Sequence, residues 1–159
     1  MLNFCWTVKH TPKLKRAVES KLHAVADELG IREEDDASVV ICADRRIATL
    51  NARFRKQREA TDVLSFPCDE PILERGRARL KADQRPRLLG DVFVNLRQVE
   101  RQARKNGNSV QDELAAVATH GMLHLLGFDH KKSAEAARMI AEEKRLLKQL
   151  GIEVGDFGH

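Results

Sequence analysis

Three histidines in the carboxyl-terminal half of the chain have the spacing of metal ligands. Residues 119–130 read THGMLHLLGFDH. His120 and His124 are four residues apart, so in a helix of 3.6 residues per turn they share one face. Gly127 supplies the backbone freedom that ends a helix, after which the chain can return His130 to the same point. Three imidazoles with a fourth position left for water are typical of a catalytic zinc site.

This spacing matches the ligands of the zinc-peptidase motif H-E-x-x-H-x-x-G-x-x-H, but the general base of that motif is absent. Where the motif has its glutamate, this chain has Gly121. A single histidine is most often a plain core or surface residue. Two more histidines and a glycine at these offsets nevertheless arise by chance with a probability of only roughly 10⁻⁴ at this composition. The sequence therefore predicts a metal site and argues against ordinary peptidase activity.

Two further features are candidates for the same site. Asp129 follows the glycine turn. It is a candidate to orient a histidine or to act as a base. An aspartate in such a turn is equally often a solvated residue without a functional role. A guanidinium offers paired donors to phosphate and stays charged, so a cluster of cations at the end of a predicted helix favours phosphate binding. Its members are Arg53, Arg55, Lys56 and Arg58. The alternative interpretation of this cluster is a solvated basic helix face.

Hydrophobic periodicity places these residues on a small α+β scaffold. Alternating or continuous apolar runs predict strands over residues 2–8, 37–43, 62–66 and 89–95. Helical periodicity predicts helices over residues 12–29, 44–55, 96–106, 109–126 and 133–150. The cysteines at 5, 42 and 68 form no C-x-x-C pair and are interpreted as small core residues. The prediction is one domain over residues 1–159, a small mixed four-stranded sheet with about five helices packed on it.

A proline-rich, basic stretch separates the two halves of the predicted domain. It runs from Pro67 to Leu88 and predicts a mobile loop. Gly90 and Asp91 beyond it read first as a turn into a strand, with Asp91 a weaker candidate for the site. The net charge of +4 and pI near 9.1 are compatible with a polyanionic partner. Six Phe, one Trp and no Tyr leave little material for stacking bases.

The sequence also bears on location. No stretch approaches the roughly 18 consecutive apolar residues that span a bilayer. The first ten residues, MLNFCWTVKH, have neither the charged start nor the apolar stretch of a secretory signal. We therefore expect a cytoplasmic protein with no membrane partner.

Three segments resemble the YbeY family of bacterial endoribonucleases and rRNA maturation factors. They are TDVLSFP (61–67), LGDVFV (89–94) and HGMLHLLGFDH (120–130). The resemblance implies a zincin-like metal-dependent hydrolase with one zinc ion per chain, held by His120, His124 and His130. It also implies single-strand-specific RNA cleavage in 16S rRNA 3′-end maturation and 70S ribosome quality control, with single-stranded RNA and the ribosome as partners.

The resemblance bears on two further regions. Arg55 falls on the arginine that the family is thought to need for activity. Residues 70–87 look longer and more basic than the corresponding family loop, so substrate contacts are not carried over there. The oligomeric state is not implied.

Three functional hypotheses remain open at this point. In the first, a zinc endoribonuclease uses the metal to activate water and polarise a phosphoryl oxygen while Arg55 balances transition-state charge, with water or the RNA 2′-hydroxyl as nucleophile. In the second, a ribosome-assembly binding protein holds a structural zinc whose fourth position a cysteine would close. In the third, a zinc hydrolase acts on a small substrate or peptide, against which Gly121 argues.

Overall fold

A computed structural model describes residues 1–54, 61–68, 86–128 and 133–152. Within these ranges lie four strands and five helices. The strands are β1 (Leu2–Trp6), β2 (Asp36–Cys42), β3 (Val63–Pro67) and β4 (Leu88–Asn95). The helices are α1 (Pro12–Glu28), α2 (Asp44–Phe54), α3 (Leu96–Asn106), α4 (Val110–Leu125) and α5 (Ser133–Gln149).

The four strands form one mixed sheet in the order β1-β2-β4-β3. The first three strands in this order are parallel, with Phe4 opposite Val39 and Val39 opposite Val92. β3 runs antiparallel to β4 and places Ser65 opposite Val92. Because successive side chains point to opposite faces of a strand, Leu64 and Ser65 belong to different layers of the protein.

α4 is the central helix of the fold. It lies on one face of the sheet against β3 and β4, while α1, α3 and α5 pack around it. Twelve of its sixteen residues are buried, so it lacks the polar face of a surface helix. Leu114 on this helix and Val92 on β4 have no exposed surface. α2 covers the other face of the sheet, where Ile47 packs with Cys42 and Leu64.

The architecture confirms the predicted α+β class with a mixed four-stranded sheet. Each strand and helix ends within two residues of its predicted bounds. The signals at helix ends explain this agreement: for example, Ser109 Oγ accepts a hydrogen bond from the N–H of Asp112 at 3.2 Å and begins α4. In the part of the chain that the structure describes, no helix is long and apolar enough to cross a membrane.

Two local predictions are wrong. Gly90 and Asp91 lie inside β4 and not in a turn. Gly90 has a φ of 127°, and a Cβ there would collide with the carbonyl oxygen of Phe66 on β3, so this glycine permits close strand approach. Among the three cysteines only the one at position 42 is a core residue, because Cys5 and Cys68 are exposed.

The mobile basic loop stays a prediction over residues 69–85, which lie outside the described residues, whereas the residue just before β4 has defined contacts. Arg87 is held by Asp35, which lies just before β2. The Nε atom of Arg87 donates to Oδ1 of Asp35 at 3.0 Å. The Nη2 atom of Arg32 donates to the same oxygen at 3.0 Å. This ion cluster fixes the chain immediately before β4.

Candidate metal centre

α4 places two of the three predicted ligands side by side. His120 and His124 lie one turn apart near the carboxyl end of the helix. The Nε2 atoms of the two rings are 3.2 Å apart, and the ring planes are inclined by 76°. Gly127 has a φ of 96° and turns the chain just beyond the helix, as predicted. The two imidazoles therefore converge on one point through their Nε2 atoms.

The separation of the Nε2 atoms fits two ligands of one metal ion. Zinc–imidazole bonds are about 2.0–2.1 Å long, so nitrogens 3.2 Å apart subtend an angle of about 100–106° at a shared zinc, close to tetrahedral. Within the described ranges no third His, Cys, Asp or Glu completes a metal-binding group. His130 and Asp129 lie outside the described residues, so their placement stays a prediction.

A buried carboxylate from α5 contacts the first histidine. Nδ1 of His120 lies within hydrogen-bonding distance of Oε1 of Glu143. The two residues are 9% and 8% exposed. Our sequence analysis missed Glu143, although a signal was present: it interrupts the buried apolar side of α5 between Met139 and Leu146. With Nδ1 occupied by this carboxylate, Nε2 is the ring atom that faces His124.

Gly121 lies where α4 comes closest to the sheet. A Cβ at this position would be 2.5 Å from Cγ1 of Val92 and 3.0 Å from Cγ2 of Val63. The hydroxyl of Ser65 on β3 donates to the carbonyl oxygen of Gly121 at 2.9 Å. The residue after His120 therefore faces a packed sheet with no room for a glutamate side chain. The absence of the peptidase base follows from this packing.

The three segments that carry the family resemblance meet at this contact. The segment TDVLSFP consists of β3 and the two residues before this strand. The segment LGDVFV lies in β4, the antiparallel neighbour of β3. The histidine segment begins in the last two turns of α4. Val63 from the first segment and Val92 from the second both approach Gly121 from the third. Motifs far apart in the sequence thus form one continuous packing unit under the histidines.

The other candidate residues are not brought to the histidines by the described structure. Arg55, with Lys56 and Arg58, lies outside the described residues, so its role stays a prediction. Asp91 pairs with Phe66, on the face of the sheet opposite α4. The sheet thus separates this carboxylate from the helix that carries the histidines.

The fold and the paired imidazoles on its central helix define an α+β protein of the zincin-like class. The family profile described as endoribonuclease YbeY matches residues 3–151. This chain belongs to the endoribonuclease YbeY family.

Several relatives carry the same name, endoribonuclease YbeY. The protein from Anaeromyxobacter dehalogenans (strain 2CP-C) is 39% identical over 137 residues, which are 86% of this chain and 65% of the relative. The protein from Rhodopseudomonas palustris (strain HaA2) is 37% identical over 150 residues, 93% of this chain and 74% of the relative. The protein from Heliobacterium modesticaldum (strain ATCC 51547 / Ice1) is 34% identical over 137 residues, 86% and 82% of the two chains.

A solved structure has a similar fold. The solution structure of a Thermotoga maritima protein matches with a TM-score of 0.63 and 26% identity, covering 94% of this chain and 89% of that one. Together with the family match, this confirms the predicted fold class. The predicted enzyme class, a hydrolase that acts on RNA, is confirmed by the family.

Proposed function

We propose that this chain is a zinc-dependent endoribonuclease that cleaves single-stranded RNA, with one zinc ion bound by His120, His124 and His130. The observation that carries the proposal is the pair of Nε2 atoms 3.2 Å apart on α4, in a chain whose relatives are named endoribonucleases. Imidazole nitrogen is a preferred donor for zinc, whereas magnesium takes oxygen ligands. When bound, zinc supplies Lewis-acid polarisation of a phosphoryl oxygen and an acidified water.

The protein's own side chains supply the rest of the proposed chemistry. Arg55 binds the phosphate and balances the charge that develops in the transition state, because its paired donors match phosphate oxygens. The packing around Gly121 leaves no room for a carboxylate side chain at that position. Asp129 is therefore the candidate to accept a proton or to orient a ligand.

We further propose that the enzyme acts in the cytoplasm, as a single domain over residues 1–159, in 16S rRNA 3′-end maturation and 70S ribosome quality control. The family resemblance supports this role. The net charge of +4 supports a polyanionic partner. Binding to RNA should accordingly weaken as salt rises, because phosphate contacts release counterions.

The test is cleavage of a defined single-stranded RNA by metal-free protein and by the same protein after zinc is restored. The corresponding duplex serves as the control substrate. We expect cleavage of the single strand to disappear with the metal and to return with zinc, while the duplex stays intact. Cleavage that persists without metal, or that zinc does not restore, would refute the proposal.

The competing hypothesis of a structural zinc closed by a cysteine gains no support from Cys42. This residue packs against α2, on the sheet face opposite the histidines, and its Sγ donates to the carbonyl oxygen of Val94 at 3.5 Å. Burial raises the pKa of the Cys42 thiol to about 11, so it stays neutral, whereas zinc binds thiolate. If the zinc were structural, adding it back to the metal-free protein would restore the stability of the fold without restoring RNA cleavage.

A further inference from the structure

Glu143 is a buried carboxylate for which the proposed reaction has no direct use. Its neighbours on the buried side of α5 are apolar: Met139, Leu146 and Leu147. Burying a carboxylate is unfavourable unless it is hydrogen-bonded or paired, and an apolar residue in this stripe would avoid that cost. Packing of α5 alone therefore does not explain a glutamate at this position.

The contact with His120 explains better why a glutamate occupies this position. A carboxylate offers acceptor atoms, so the contact with Oε1 of Glu143 favours the tautomer of His120 that carries its proton on Nδ1. In a neutral imidazole this leaves Nε2 unprotonated. Nε2 is the atom that lies 3.2 Å from Nε2 of His124. The opposite tautomer would direct an N–H into the point where the two rings converge.

We infer that Glu143 is a positioning residue that holds His120 in the tautomer and ring orientation that present its Nε2 lone pair to the metal. The inference rests on the proposed metal site and deepens it. Carboxylate partners of ligating histidines act in this way in metalloproteins, and their loss lowers metal affinity by about 10- to 100-fold. The contact also links α5 to the helix that carries the ligands.

The first test is zinc affinity, measured by competition with a chromophoric chelator. Glu143→Leu removes the acceptor and continues the apolar stripe of α5. We expect zinc affinity to fall by about 10- to 100-fold, while the thermal midpoint of the zinc-free variant is unchanged or higher. Glu143→Gln keeps an acceptor oxygen and should recover most of the affinity. Glu100→Leu on α3, which removes a carboxylate paired with Arg97, is the matched control and should bind zinc like the parent.

The second test reads the tautomer directly. ¹⁵N NMR of the His120 ring in zinc-free protein should show the proton on Nδ1. In Glu143→Leu the proton should move largely to Nε2, the more populated position in imidazoles that lack a partner. A role of Glu143 in fold stability alone would not shift this proton.

Each outcome decides the inference. Parental zinc affinity in a folded Glu143→Leu protein would overturn it, as would a proton on Nε2 of His120 in the zinc-free parent. A parent that binds no zinc would instead refute the proposed function. If Glu143→Leu fails to fold, the unbranched Glu143→Met is judged by the same two measurements.

Discussion

Asp35 and Glu143 are both buried carboxylates, and they differ in their partners. Asp35 accepts hydrogen bonds from the guanidinium groups of Arg32 and Arg87. Glu143 accepts one from the imidazole of His120. Burial by itself would raise the pKa of Asp35, but the bonds from Arg87 and Arg32 outweigh it and lower the pKa from 3.8 to about 2. Asp35 is therefore ionised and matched by cations throughout the neutral range.

This difference in partners gives the two carboxylates different roles: Asp35 is a structural anchor, a residue that joins two segments of the fold, and Glu143 is a positioning residue. Guanidinium groups do not lose their charge at any working pH, so the Asp35 cluster links the segment before β2 to the start of β4 throughout the neutral range. The imidazole of His120 is a partner with a second ring nitrogen, and that nitrogen faces His124. Removing Asp35 should therefore affect stability, whereas removing Glu143 should affect the ligand geometry.

The largest expected effect is the loss of the anchor. Asp35→Ala leaves two partly buried guanidinium groups without their counter-charge, which should lower the free energy of unfolding by about 3 kcal/mol. Urea unfolding at 25 °C measures this. Zinc affinity of the folded variant should match the parent. A loss below about 1 kcal/mol, the range of surface ion pairs, would remove the distinction between the two carboxylates.

Substitution of Arg55 tests whether the loss of RNA cleavage can be separated from the loss of zinc. Arg55→Ala should lower the cleavage rate at saturating RNA by about 10²- to 10³-fold, as expected when one transition-state donor is lost. Bound zinc should be unchanged. Arg55→Lys should rescue only partly, because it restores charge without paired donors. Arg104→Ala on α3, an exposed arginine, is the control. Parental cleavage by Arg55→Ala would assign this arginine to a solvated basic surface.

Acid should weaken the anchor in a predictable pH range. Because the folded pKa of Asp35 lies below its unfolded value, its contribution is fully present above about pH 4 and is lost as pH falls through about 2. The contribution is about 2 kcal/mol at 1.36 kcal/mol per pKa unit. Unfolding measured from pH 5 downward should show this loss in the parent and not in Asp35→Asn. Parallel curves for the two proteins would contradict the assigned pKa.

Gly121→Ala should destabilise the protein by about 1–3 kcal/mol, because the added Cβ meets the stiff side chain of Val92 at 2.5 Å. A double-mutant cycle sharpens the measurement. In a Val92→Ala background the same substitution should cost less, since the collision is relieved. Equal costs in both backgrounds would show that the contact between α4 and the sheet does not require glycine.

Local signals in the sequence were enough to predict the elements and part of the site. Thr11 and Ser109 cap their helices as predicted, and Gly127 turns the chain after the histidines. The four-residue spacing of His120 and His124 was sufficient to place their rings together, because helix geometry is local.

Contacts between distant residues could not be predicted in this way. Glu143 lies 23 residues from His120, and Asp35 lies 52 residues from Arg87. No periodicity within one element reports such partners. Gly90 was misjudged for a related reason, since glycine permits a turn and close strand approach equally well, and only the pairing with β3 distinguishes them.

The most direct test of the metal centre is the zinc content of the purified protein, determined by elemental analysis after loading with zinc and removal of the excess. The parent is compared with a variant carrying His120→Ala, His124→Ala and His130→Ala, and circular dichroism verifies that both are folded. We expect about one zinc per parent chain and none in the triple variant. Stoichiometric zinc in the triple variant, or a parent that retains no zinc, would contradict it.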